Sequence, residues 1–110
     1  ITLEVIVDDW NVFKAMIDID ISKITKLNLG GTLKGGRHVP KINDDDIQEL
    51  MKRISDCKSL QILDLTRNDL TEASGVAVGK AVATHTTLVQ LLLSGNELRE
   101  NGGAAIMHRL

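Results

Sequence analysis

The eleven residues Leu60-Gln61-Ile62-Leu63-Asp64-Leu65-Thr66-Arg67-Asn68-Asp69-Leu70 return 28 positions later as Leu88-Val89-Gln90-Leu91-Leu92-Leu93-Ser94-Gly95-Asn96-Glu97-Leu98. Both copies read L-x-x-L-x-L-x-x-N-x-L, and leucines and an asparagine matched at one spacing restrict the chain to folds that stack one unit on the next. Within each copy the fourth and sixth residues, Leu63 and Leu65 or Leu91 and Leu93, share one face of an extended strand, because side chains alternate faces with a period of two. That face is the expected core. Strands of successive units are expected to pair in parallel. Asn68 and Asn96, at the strand exits, are expected to form a structural ladder that bonds backbone groups otherwise unpaired in the bend.

Each strand is followed by a stretch with helical spacing. Position 19 of the unit holds Val78 or Ile106 and position 23 holds Val82 or Leu110, an i, i+4 pair on one helix face. Gly75 and Gly103 share position 16, where a small residue lets a neighbouring backbone approach. A unit of this length with a full helix resembles the ribonuclease-inhibitor-like family of leucine-rich repeats, and the resemblance covers about two thirds of the chain. It implies an α/β fold, a right-handed horseshoe segment of a solenoid with short parallel strands on the concave face and helices on the convex face.

The 110 residues are read as a single domain or a fragment of one. Residues 1–23 form a degenerate or short first unit, 24–59 a repeat with an insertion at about 33–41, 60–87 a repeat, and 88–110 a truncated repeat. The insertion follows from counting: Ile24 precedes Leu60 by 36 residues, eight more than the period. Placing Ile42 at position 11 sets Leu50 and Ile54 in register with Val78 and Val82. Thr32 then stands where the other units hold asparagine, so the ladder is expected to lose a rung there. Glycines 30, 31, 35 and 36 are read as making the excursion permissive, and Pro40 bars it from continuing a helix. In the first unit, Leu3, Val5 and Val7 suggest a strand that Ile6 would bury on both faces. Asp8-Asp9 suits the start of a helix carrying Val12, Phe13, Met16 and Ile17, followed by alternation from Ile17 to Ile21. The chain begins without methionine and ends at Leu110 on a predicted helix core position, which suggests a segment of a longer stack or one closed by another chain, with an edge prone to end-to-end self-association.

Chemistry-bearing motifs are sparse. The acidic run Asn43-Asp44-Asp45-Asp46 fits a helix N-terminus, where carboxylates complement the dipole and cap free N–H groups. It lacks the spacing of a calcium loop, and the glycines near Lys34 and Arg37 do not follow a phosphate-loop pattern. His38, His85 and His108 are scattered, Asp18 and Asp20 read as a solvated face, and no metal or cofactor is expected. A single cysteine, Cys57, excludes an internal disulfide and reads as structural. With the absence of a glycosylation sequon it favours an intracellular, cytoplasmic setting. A formal charge of −2, no basic stripe, and Trp10 and Phe13 as the sole aromatics argue against nucleic acid. No apolar run is long enough to span a membrane.

Function is therefore read from the surface of the stack. Side chains pointing away from the core form columns: Lys26, Ile62 and Gln90 at position three; Asn28, Asp64 and Leu92 at five; Gly30, Thr66 and Ser94 at seven; Gly31, Arg67 and Gly95 at eight. Apolar residues beside charged ones suit a protein partner. The expected contact residues are Ile62, Asp64, Arg67 and Leu92 with Lys34, Arg37 and Lys41 of the insertion, in a non-enzymatic protein-interaction scaffold. The resemblance also allows a GTPase-activating regulator of a small GTPase, or a ligand-sensing segment of an immune-type receptor.

Overall fold

Four short strands pair in parallel in chain order, so that each unit lies beside the one before it. They are β1 (Glu4–Ile6), β2 (Lys26–Asn28), β5 (Ile62–Asp64) and β6 (Gln90–Leu92). The computed structural model describes residues 3–7, 9–11, 13, 23–31, 33–34, 37–38, 40–85, 87–100 and 102–103, of which 33–34 and 37–38 are described as backbone. Register is carried by the repeat: Leu27 pairs with Leu63 and Leu63 with Leu91, with Val5 added beside Leu27. The hydrogen bonds repeat too, from Leu29 N to Asp64 O and from Leu65 N to Leu92 O, both 2.8 Å.

The inward faces of these strands build the core. Leu27, Leu29, Leu63 and Leu65 are buried, joined by Ile42, Leu60, Leu70 and Val78. Leu91, expected to be equally buried, is only half-buried, as is Leu93. The reason is positional, since β6 pairs with a single described strand whereas β5 lies between two. Ile6, expected on a doubly buried strand, is instead 67% exposed. At the helical turn that follows β1, Asp9 Oδ1 accepts from Asn11 N at 3.0 Å, and Trp10 and Phe13 stack with ring centroids 5.8 Å apart. The expected alternation at residues 17–21 lies outside the described residues.

Among the described residues, two helices cover the inward side. In α1 (Asp44–Ile54) Ile47, Leu50, Met51 and Ile54 are buried, the i, i+3, i+4, i+7 spacing of one helix face. Asn43 caps it in a reciprocal box: its side chain accepts from Asp46 N at 2.9 Å and Asp46 Oδ2 accepts from Asn43 N at 3.2 Å. The acidic run thus closes its own helix. α2 (Glu72–Thr84) buries Ser74, Gly75, Val78 and Gly79 and lies against α1. A β-carbon on Gly75 would fall 2.5 Å from Gly102 Cα, so glycine is needed for Gly102 to come that close. Gly103, expected to share this role, has no described residue within 4 Å of where its β-carbon would lie. Its neighbour Gly102 makes the approach instead. Ile106 and Leu110, expected on the last helix face, lie outside the described residues.

Asp44 joins the two helices. Its Oδ1 accepts from Thr71 N at 2.9 Å and its Oδ2 from Thr71 Oγ1 at 2.6 Å, and Ser74 Oγ donates to Oδ1 as well. Thr71 is the N-cap of α2 and makes no capping bond of its own, so a carboxylate from the preceding unit takes that place. Burial alone would raise the Asp44 pKa, but the bonds from Ser74 and Thr71 outweigh it and hold the carboxyl below its ordinary value.

Two predictions follow from these contacts. Leu63→Ala should cost on the order of 2–5 kcal/mol and Leu91→Ala clearly less, since that side chain is already partly exposed. Urea melts giving equal losses would show that β6 is as enclosed as β5. A folded-state pKa below the unfolded value contributes stability that is complete above about pH 4 and lost as pH falls through the folded pKa. The stability gap between wild type and Asp44→Asn should therefore be widest above about pH 4 and shrink in more acidic solution. A gap that does not vary with pH would rule out this role for the carboxylate.

Candidate interaction surface

The outward sheet face is organised by the same register that builds the core. One row reads Glu4, Lys26, Ile62, Gln90 and the next Ile6, Asn28, Asp64, Leu92. These side chains are half-buried or exposed. β1 extends both rows by one strand, which the repeat motif does not reveal because Val5-Ile6-Val7 carries valines where later units carry leucines. Lys26 Nζ lies 3.7 Å from Glu4 Oε2, leaving Ile62 and Leu92 as apolar ground beside a compensated charge pair.

Asp64 is not a bare surface carboxylate. Its Oδ1 accepts from Thr66 N at 3.0 Å, and Asn28 Oδ1 makes the same bond to Gly30 N, also 3.0 Å. An Asx residue two positions before the bend closes a local turn, so position five serves the backbone as well as the surface. Its replacement by alanine, tolerable for a free side chain, here removes a bond, whereas Asn keeps it.

Beyond the strand ends the asparagines take over. Asn68 is buried; its Nδ2 donates to Leu29 O at 3.0 Å, Leu65 O at 3.1 Å and Thr66 O at 3.2 Å, and its Oδ1 accepts from Ile42 N at 2.7 Å. Asn96, half-buried, donates to Leu65 O at 2.8 Å and Leu93 O at 3.0 Å and accepts from Asn68 N at 3.1 Å and Leu70 N at 3.3 Å. Each amide therefore ties its own bend to the unit before it. Thr32, the expected missing rung, lies outside the described residues.

Leu29 and Ile42 flank the insertion, and Asn68 bonds to both. Between them, β3 (Leu33–Lys34) and β4 (Arg37–His38) pair antiparallel with Lys34 opposite Arg37, so the excursion is a hairpin rather than an irregular loop. It packs against no other described helix or strand. Gly31 forms its neck: a β-carbon there would fall 2.2 Å from Pro40 O and 2.3 Å from Arg67 O. Close approach, rather than backbone freedom, is what this glycine supplies. Lys41 is exposed and 3.9 Å from Asp69 Oδ1, a solvent-screened contact. Arg67 is exposed at the end of β5. The structure thus places Ile62, Asp64 and Leu92 on one face of the sheet, with Arg67 in the bend beyond β5, beside Gly95.

Cys57 is buried, and burial together with neighbouring Asp56 pushes its thiol up to about 11, so it stays protonated and weakly nucleophilic at neutral pH. His85 does not contact the sulfur. Its Nε2 donates to Cys57 O at 3.0 Å while Nδ1 accepts from Leu88 N at 3.1 Å, a pattern that fixes the tautomer and ties one unit's helix exit to the next. Among the described residues no three His, Cys, Asp or Glu side chains are grouped to hold a metal ion, and no described helix is long and apolar enough to cross a membrane.

Asn68→Ala should be among the most damaging single changes, because it strands the buried amide of Ile42 and the carbonyl of Leu29, while Leu65 O keeps its bond from Asn96. A loss of about 3 kcal/mol or more is expected in a chemical melt, against a smaller one for the half-buried Asn96→Ala. The opposite order would contradict the bonding described.

No family model matches the chain, and none of the curated proteins compared with it matches it.

Proposed function

We propose that the chain is a segment of a ribonuclease-inhibitor-like leucine-rich repeat solenoid and serves as a non-enzymatic protein-interaction scaffold inside the cell. Its partner is taken to bind the outward, concave strand face. The observation that carries this reading is the pair of outward rows, in which Ile62 and Leu92 sit half-buried among Lys26, Asp64 and Gln90. Such a mixture, apolar at the centre and polar around it, suits contact with another protein better than a small-molecule cavity. The basic insertion at 33–41, with Lys34, Arg37 and Lys41, is taken to add charge at the margin of that face.

Apolar contacts at the centre of an interface govern release, while charges at its margin govern approach. Leu92→Ala is therefore expected to hasten dissociation of a bound partner, and Arg37→Glu to slow association in a manner that weakens with salt. Hydrogen exchange on the complex should show protection along β2, β5 and β6. A footprint confined to Lys52, Arg53 and Lys80 on the helices would overturn the proposal.

A further inference from the structure

Position eight of the unit is held by Gly31, Arg67 and Gly95, and the arginine is the anomaly. Gly95 has φ +77°, in the left-handed region where a residue without a β-carbon is at ease; Arg67 adopts φ 54° at the equivalent place despite having one. A non-glycine residue in this region costs stability and persists only where its surroundings hold it there. Arg67 makes no ion pair among the described residues. Arg99, the other arginine with positive φ (58°), has Nη2 4.0 Å from Glu97 Oε2. The stem of Arg67 is nevertheless held in place. A β-carbon on Gly95 would fall 2.8 Å from Arg67 Cγ, so the bare glycine of the next unit is what leaves room for the arginine to lie across it.

We infer that Arg67 is the receptor for a carboxylate of an acidic protein segment, and that an aliphatic side chain next to that carboxylate rests on Leu92 and Ile62. This rests on the outward strand face being the binding surface. A guanidinium presents paired N–H donors that match a carboxylate, and a cation with no partner is the group for which such a pairing adds most. The surroundings favour one carboxylate over a polyanion. Asp64 and Asp69 lie within three residues of Arg67 in the chain, and Asp69 and Glu97 line the groove that Gly95 borders, so a phosphate backbone would meet several acids near the single arginine. A short segment carrying one acid and one aliphatic residue avoids them.

The test is selection of random peptides displayed on phage against the whole immobilised chain, with affinities of the resulting synthetic peptides measured by fluorescence anisotropy on wild type, Arg67→Gly and Leu92→Lys. Selected peptides should carry Asp or Glu beside Leu, Ile or Val. Arg67→Gly should weaken them by at least about tenfold, the loss of a charge-assisted bond, yet melt no lower than wild type because the strain is relieved. Peptides without acidic enrichment, undiminished binding by Arg67→Gly, or a clearly lower melting temperature for it would overturn the inference. Binding lost in Leu92→Lys but kept in Arg67→Gly would remove the role of Arg67 and leave the face as the site. Failure to select any peptide, or binding indifferent to both changes, would remove both. Arg67-dependent binding of an oligonucleotide in place of peptides would overturn the choice of an acidic protein segment.

Discussion

The amide of Asn68 is the bond on which the rest of the arrangement turns. A parallel strand that ends in a tight bend leaves carbonyls and N–H groups with no neighbour, and burying them unpaired would cost about 1–3 kcal/mol each. Asn68 meets those of its own bend and those of the preceding unit at once, bonding Leu29 O, Leu65 O and Ile42 N. Because the same side chain reaches two units, it fixes their spacing along the sheet. The leucine rows can then fall into register, and the outward rows follow automatically, since side chains alternate.

Much of this could be read from the chain because it depends on period and residue type. Leu27, Leu63 and Leu91 recur at the fourth position, and the strands that carry them pair at those residues. What escaped was set by context. Leu91 has the same motif position as Leu63 but lacks a second described strand beside it, so an identical sequence signal gives different burial. Asp64 and Asn28 differ in charge yet make the same local bond, which a reading by surface charge overlooks. The hairpin was hidden because a strand of two residues has no period to detect.

Contacts between units are also made by polar groups outside the leucine and asparagine motif. Asp44 caps the helix of the following unit through Thr71 and Ser74, and His85 reaches back to the carbonyl of Cys57. The position of Asp44 holds Glu72 and Glu100 in the later units, and that of His85 holds Cys57 in the unit before, so the side chains themselves do not recur. Leucines alone supply a generic apolar layer, and these singular bonds distinguish one neighbour from another.

The hairpin neck also has a bearing on how such a chain can change. Leu29 and Ile42 are held at a fixed separation by Asn68 and by the contact of Gly31 with Pro40, whatever chain runs between them. Closing a loop twice as long costs only about 0.6 kcal/mol more in entropy. Length and sequence between those two residues are thus uncoupled from the register of the sheet. This makes the neck a socket into which segments of different length and sequence can be exchanged while the body that carries them stays the same.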